Sequence, residues 1–589
     1  MKRTHIIIGL MLSLLLLIVH LAVIDDYGIT WDFHHHFFAG LYHLGIPLKE
    51  SLTKNIPFTM PDPRGTYDLP FGPLMLIAPT ITYQLFHETL NIMAFDNAYH
   101  LSIIISGVAG VFILYLFLLE AFGFITGLAG LAFLALLPRY WGDLHNNMKD
   151  VPQAAAFALA IWMFWRLTRY KRVKDLIFAS LAFAIAFNTK VNTLMVPVIA
   201  GVWLFITGLL STIDDRELKV VVENRRSKVV PQRLSSIFHL QKLFSIFHLP
   251  LSLLYFAAAP LAAFLLWLPF WKHPIDRLIY MFRFFLDNTQ NLEVLYFGTI
   301  YKSAINVPWH YALGYLGVTT PVPTLLFFIL GLTIIGVNVI RMGKSILDAW
   351  KYDIRNRKTK NDHRFSHFDN DFRSSIQRLS NFSLLLLWFF LPLTRYLNPK
   401  IGVIDGIRHF EEVVFPLCAI AAVGFAATLD RLNRMKRMGT LGRPILIGVV
   451  LVTLILPIVR YHPYQISYFN ELVGGICGAL GNFDVEYWGT SQKAAVRWLN
   501  ANARKDSFVH VLMAGDSAAK YLRPDLLTRV NQKGFDEADY VVILNRRSFF
   551  DRYWGTTAYM AGRKPVYEVQ IQGVPLTLIY ENTSLARSR

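Results

Sequence analysis

Three aspartates, Asp25, Asp26 and Asp32, follow the first hydrophobic run of the chain, in the bend DDYGITWDFHHH. Carboxylates beside hydrocarbon are expensive to desolvate, and a chain that keeps several there has a use for them. Asp32, between Trp31 and Phe33, is the candidate general base. Aromatic neighbours raise the pKa of a half-buried carboxylate, which then takes a proton from an acceptor hydroxyl. Asp25 and Asp26 read equally as caps of an interfacial helix or, for Asp26, as a substrate contact. His34, His35 and His36 invite a metal ion. Successive helical residues point about 100° apart, so three in a row do not converge on one ion, and no metal is assigned.

A second polar cluster, RYWGDLHNNMKD, occupies residues 139–150. Arg139, His145 and Lys149 are donors suited to a phosphate, while Asp143 and Asp150 orient a donor or share a cation. The plainer account is a polar loop in which Asp150 caps the helix that begins near Pro152. Lys190, in FNTKVN, interrupts an apolar stretch; it snorkels to the surface or neutralises a phosphate. A third cluster, IDGIRHFEE, supplies Asp405, Arg408 and His409. Arg408 is the preferred phosphate clamp, because a guanidinium pairs two oxygens at once. Trp309 and His310 read as interface aromatics.

These clusters need a frame, and composition identifies it as a membrane one. The 589 residues are 54% hydrophobic and 14% aromatic, with a mean hydropathy of +0.39. Hydrophobic stretches of about 15–23 residues fall at 4–24, 98–118, 123–138, 152–168, 175–189, 192–211, 251–271, 321–341, 381–397, 409–429 and 442–460. The first follows Lys2 and Arg3 and lacks a small-residue cleavage site before Asp25, so it is expected to be a retained anchor. Two cysteines, Cys418 and Cys477, suggest neither a disulfide framework nor a thiolate metal site. The net charge of +18 resides in short loops between spans, which points to anionic lipid headgroups as the partner and away from nucleic acid.

Orientation turns on the segment 71–93, which Pro73 and Pro79 interrupt. If it crosses, the basic groups at 166–174, 212–250 and 342–380 all fall outside. If it dips in or lies along the interface they fall inside with Arg431, Arg434, Lys436 and Arg437, as the positive-inside rule prefers. About eleven crossings follow. Residues 25–70, 139–151, 272–320 and 398–408 then share the outer face, so all three polar clusters meet there. The insert at 212–250 repeats SIFHL and reads as an interfacial helix; residues 351–378, polar and mixed in charge, read as flexible.

Residues 1–460 are thus expected to form a mainly α, polytopic helical bundle with a large first outer loop. Residues 461–589 form a small extracytoplasmic α/β domain. There Thr490 or Ser491 caps a helix through QKAAVRWLNAN, SFVHVLMAG and ADYVVILN are strands, and VYEVQIQGVPLTLIYE is a hairpin turning at Gly573. No glycine-rich phosphate loop follows either strand, which argues against nucleotide binding.

The segments ITWDF, HNNMKDVP, PWHYALGYLGVTTPVP, IDGIRHFEEVVFPL and YHPYQISYFNELVGG…EYWGTSQKAAVRWL together resemble bacterial members of the dolichyl-phosphate-mannose-protein mannosyltransferase-like family. The resemblance runs from the first loop to about Leu499. It implies a type C glycosyltransferase of the bacterial inner membrane. Such an enzyme takes a sugar from a polyprenyl-phosphate carrier at the outer face and inverts the anomeric carbon; its acceptor is a protein, glycan or lipid. It also implies that Asp32 is the first-loop catalytic aspartate, that Lys149 and Asp150 are the family's Lys-Asp pair, and that Asp405, Arg408 and His409 are its Asp-Gly-Ile-Arg-His loop. Phe33 stands where the family usually carries Glu. The rival reading is a transporter or flippase of a lipid-linked sugar, which would show two related halves; no such repeat is present.

Overall fold

The computed structural model describes residues 2–47, 72–226, 235–267, 271, 273–287, 291–356, 365–435 and 439–582. Helices cover all eleven hydrophobic stretches. Among the described residues, seven helices are long and apolar enough to cross a bilayer, and eight if one bent pair counts as a single span. The chain is an integral membrane protein.

The bent pair is the first departure from the sequence reading. The stretch 123–138 is two helices, Phe124–Ala135 and Pro138–Asn146, set at 62°. Pro138 causes the break. A proline pushes the residue before it out of the helical region, and Leu137 is extended (φ −79°, ψ 115°). Pro138 then starts the second helix, at a position where no N–H is needed. Gly142 lets that helix lie against the chain at 465–467, since a Cβ there would meet Ile466 at 2.8 Å.

The interrupted segment 71–93 forms a helix, Pro73–Tyr83, followed by a wider turn at Gln84–Thr89. The SIFHL repeat does not form a separate interfacial helix: both copies lie in one long helix, Ser235–Leu266. The stretch read as flexible is helical on both sides of residues 357–364, in Val322–Asn356 and Phe365–Thr394. In the first loop, Phe33–His43 is helical; residues 48–70 lie outside the described ones.

The C-terminal part carries a four-stranded mixed sheet. Strands Val509–Leu512 and Tyr540–Leu544 run parallel. Tyr540–Leu544 pairs antiparallel with Val574–Glu581, which pairs in turn with Tyr567–Ile571 across the Gly573 turn. Helix Gln492–Asn502 packs on it. Ser491 precedes that helix but does not cap it with its side chain; its N–H and hydroxyl both donate to Glu486. A short hairpin, Glu293–Tyr296 with Thr299–Lys302, was not evident from the sequence. Cys418 is buried and Cys477 exposed, and both are free.

Candidate active site

Asp32 is the residue just before helix Phe33–His43, where an aspartate commonly caps the helix with its side chain. Here it makes no capping bond. Instead three donors converge on its Oδ2: Lys149 Nζ at 2.6 Å, Arg408 Nη1 at 3.2 Å and Trp488 Nε1 at 3.3 Å. Among the described residues no donor reaches Oδ1, and the side chain keeps 30% exposure. The loops bearing Asp32, Lys149 and Arg408 therefore meet in one site.

The aromatic flank of Asp32 does not act as its sequence suggested. Phe33 turns away into the core, with ring centroids 5.3 Å from Phe37 and 4.7 Å from Tyr99. Trp31 lies edge-on to Phe549. Burial pushes the Asp32 carboxyl up, but Lys149 and Arg408 outweigh it and hold the group well below the usual carboxylate range. The expected raised pKa is thus reversed, because two cations bond the carboxylate directly. Burial lowers the Lys149 ammonium against the pull of Asp32.

Arg408 belongs to the turn Gly406–Val413, which enters helix Val414–Arg434. Asp405 just before it holds a left-handed backbone (φ 57°, ψ 37°). Such a conformation persists where surrounding contacts over-determine it. Here they do: Arg408 Nη2 lies 3.3 Å from one Asp405 oxygen and Arg546 Nη2 lies 2.8 Å from the other. Arg546 also donates to Tyr487 O at 2.8 Å. The Arg408 guanidinium lies 4.5 Å from the Trp488 ring centroid, a cation–π contact.

Trp488, Arg546 and Glu486 did not emerge from sequence reasoning as site residues. The motif EYWGTS was a visible signal for two of them; nothing local marks Arg546. Glu486 fixes the turn. It accepts from Trp488 N at 2.8 Å, Gly489 N at 3.0 Å and the Thr490 and Ser491 hydroxyls at 3.0 and 2.9 Å. Trp31 N donates to Trp488 O at 2.8 Å, tying the turn to the first loop.

The remaining predicted residues divide. Asp150 is the first residue of helix Asp150–Tyr170 and not its cap; Asn147 Oδ1 takes its N–H at 2.9 Å, while its carboxylate pairs with Lys190. Lys190 therefore neither snorkels nor stands free, being 7% exposed. His409 is half-buried, and its carbonyl accepts from Tyr396 at 2.6 Å. His145 belongs to another cluster: it bonds His20 at 2.8 Å and stacks on Tyr27 at 3.7 Å. Asp26 pairs with His462 at 2.9 Å on an exposed edge, and Asp25 with Arg497 at 3.4 Å. His34 points to Asp516 at 3.3 Å. Among the described residues no group of His, Cys, Asp or Glu is spaced to hold a metal ion.

Fold and site thus define an integral membrane protein with a carboxylate shared between two cations. Residues 78–222 match the sequence model of the dolichyl-phosphate-mannose-protein mannosyltransferase family. The resemblance read from the motifs holds over that stretch, which includes Arg139, Lys149, Asp150 and Lys190; Asp32 and the 405–409 turn lie outside it. Among solved structures, ArnT from Cupriavidus metallidurans bound to undecaprenyl phosphate is similar at 11% identity and a TM-score of 0.41, over 99% of this chain and 98% of that one. The oligosaccharyltransferase AglB from Archaeoglobus fulgidus, in complex with an inhibitory peptide and a dolichol-phosphate, is similar at 11% identity and a TM-score of 0.39, over 93% and 71%. An Archaeoglobus fulgidus oligosaccharyltransferase in the apo form is similar at 12% identity and a TM-score of 0.42, over 95% and 71%. No curated protein matches.

Proposed function

We propose that this protein is an inverting glycosyltransferase that moves a sugar from a polyprenyl-phosphate carrier to an acceptor hydroxyl at the outer membrane face. The observation that carries the reading is the placement of Asp32 against Lys149 and Arg408. Lys149 and Arg408 both face Asp32, and Arg408 and Arg546 share Asp405.

The scheme is a competition for the same cations. Without donor, Asp32 is held by Lys149 and Arg408 and is a weak base. The incoming phosphate draws both cations, and Asp32 is released to act on the acceptor. The acceptor O–H passes its proton to Asp32 while its oxygen bonds to the anomeric carbon. The bond from that carbon to the phosphate oxygen breaks, and its electron pair leaves with the phosphate, where Lys149 and Arg408 stabilise the added charge.

The span Gly406–Arg434 supports the outer placement, being among the described helices long and apolar enough to cross a bilayer. Asp405 and Arg408 stand at its start, and Arg431 and Arg434 in its last turn. By the positive-inside rule the basic end is cytoplasmic and the Arg408 end is outside. Purified protein should consume an undecaprenyl phosphoryl sugar in the presence of an acceptor, and Asp32→Asn should not. A wild-type rate in that variant refutes the assignment.

A further inference from the structure

Next to Arg408 lies a group of buried polar atoms that the proposed chemistry does not use. Arg139 is 1% exposed. Its Nε donates to Tyr468 O at 3.1 Å and its guanidinium lies 4.7 Å from the Phe469 ring centroid, yet among the described residues Nη1 and Nη2 have no hydrogen-bond partner. Among the described residues Glu411, 0% exposed, has no partner for either carboxylate oxygen, Asp143 has none for Oδ1, and Asn147 Nδ2 has no close bond beyond its approach to Asp143. Glu411 and Asp143 feel each other's charge and that of Arg139, and Asp143 feels Arg408 as well. Arg139 borders the catalytic turn: a Cβ on Gly406 would stand 3.0 Å from its Nη1.

Arg139 and Asp143 are four residues apart on one helix, where opposite charges ordinarily meet. Tyr468 and Phe469 hold the guanidinium in another direction, so the fold keeps these groups apart and unsatisfied. Buried polar groups are hydrogen-bonded in native proteins, to ordered water or to a ligand that displaces it. A phosphate has Lys149 and Arg408 nearby. A cation is repelled by Arg139. A set of hydroxyls, each both donor and acceptor, matches donors on Arg139 and Asn147 and acceptors on Glu411 and Asp143.

We infer that Arg139, Asp143, Asn147 and Glu411 form a subsite for the hydroxyl groups of the transferred sugar. The inference rests on the glycosyltransferase reading and adds to it: Arg139 is assigned to the sugar and not to the phosphate. The subsite is what selects the sugar, and the cations at Asp32 recognise the carrier whatever it bears.

The test compares binding of undecaprenyl phosphate with that of a panel of undecaprenyl phosphoryl hexoses, N-acetylhexosamines and pentoses. Wild-type protein should favour one sugar class at least tenfold over the bare carrier. Glu411→Gln and Arg139→Lys should remove that preference and leave bare-carrier affinity unchanged. Equal weakening on both ligands, the signature of a structural role, overturns the subsite, as does an unchanged preference. Bare-carrier binding reports folding; should Glu411→Gln fail it, Asp143→Asn makes the same comparison. Wild-type protein that binds neither ligand overturns the transferase reading itself, and the subsite with it.

Discussion

Two aspartate–lysine pairs lie where the membrane part meets C-terminal residues, and they are built for different ends. Asp96, 1% exposed, takes Lys493 Nζ at 2.7 Å and Tyr521 OH at 2.9 Å on Oδ2, and the N–H of Asn97 at 3.0 Å on Oδ1. Lys493 gives its other donors to the carbonyls of Asp25 and Tyr27, at 2.8 and 3.1 Å. Every strong donor and acceptor is matched within the fold, and the pair is a lock. Asp32 crowds three donors onto one oxygen, takes none on the other among the described residues and retains exposure. A lock is complete without substrate; the Asp32 site is complete only when something else takes its cations.

The comparison can be broken by substitution. Lys493→Met strands Asp96 in the interior and should destabilise the protein by about 3–5 kcal/mol, measured by denaturant unfolding in detergent. Folded variant should keep its turnover, and loss of turnover at full stability would erase the distinction. Arg408→Lys cannot span Asp32 and Asp405 together, and transfer should fall by about 10²–10³-fold with little change in stability. Trp488→Phe keeps the ring over Arg408 but deletes the N–H to Asp32. A hydrogen bond to a charged group is worth about 1.5–3 kcal/mol, so kcat/KM should drop roughly tenfold or more.

The pH profile gives the smallest and sharpest signal. Burial raises Asp32 while Lys149 and Arg408 lower it further, so its folded pKa lies below the ordinary value. A depressed carboxylate contributes stability that is full above its unfolded pKa of about 3.9 and is lost as pH falls through the lower folded value. Between about pH 5 and 8, then, Asp32 should produce no limb in kcat/KM, which reports the free enzyme. In Lys149→Met a limb should move up toward the ordinary carboxylate range; an unmoved profile would show that Lys149 does not control Asp32.

Much of this was legible before the structure. Hydrophobic length marked the helices, and Asp32, Lys149, Asp405 and Arg408 stood out because ionisable groups beside apolar runs are rare. What failed was neighbourhood. Trp31 and Phe33 adjoin Asp32 in sequence, yet side chains one residue apart on a helical turn point in different directions, and the aromatic that reaches Oδ2 is Trp488, 456 residues away. Lys190 looked free because Asp150, 40 residues earlier, pairs with it only once two helices fold together. Arg546 carried no local mark at all. The bend at Pro138 was readable from the proline rule but was masked by the apolar run through it.

The central claim is that Asp32 and the carrier phosphate compete for Lys149 and Arg408. Its most direct test is the affinity for undecaprenyl phosphate of wild-type and Asp32→Asn protein, in the same preparations assayed for sugar transfer. The account predicts that the variant loses turnover and binds the carrier as tightly as wild type or more tightly, since the cations are no longer shared. Turnover that persists, or carrier affinity that falls along with it, contradicts the account.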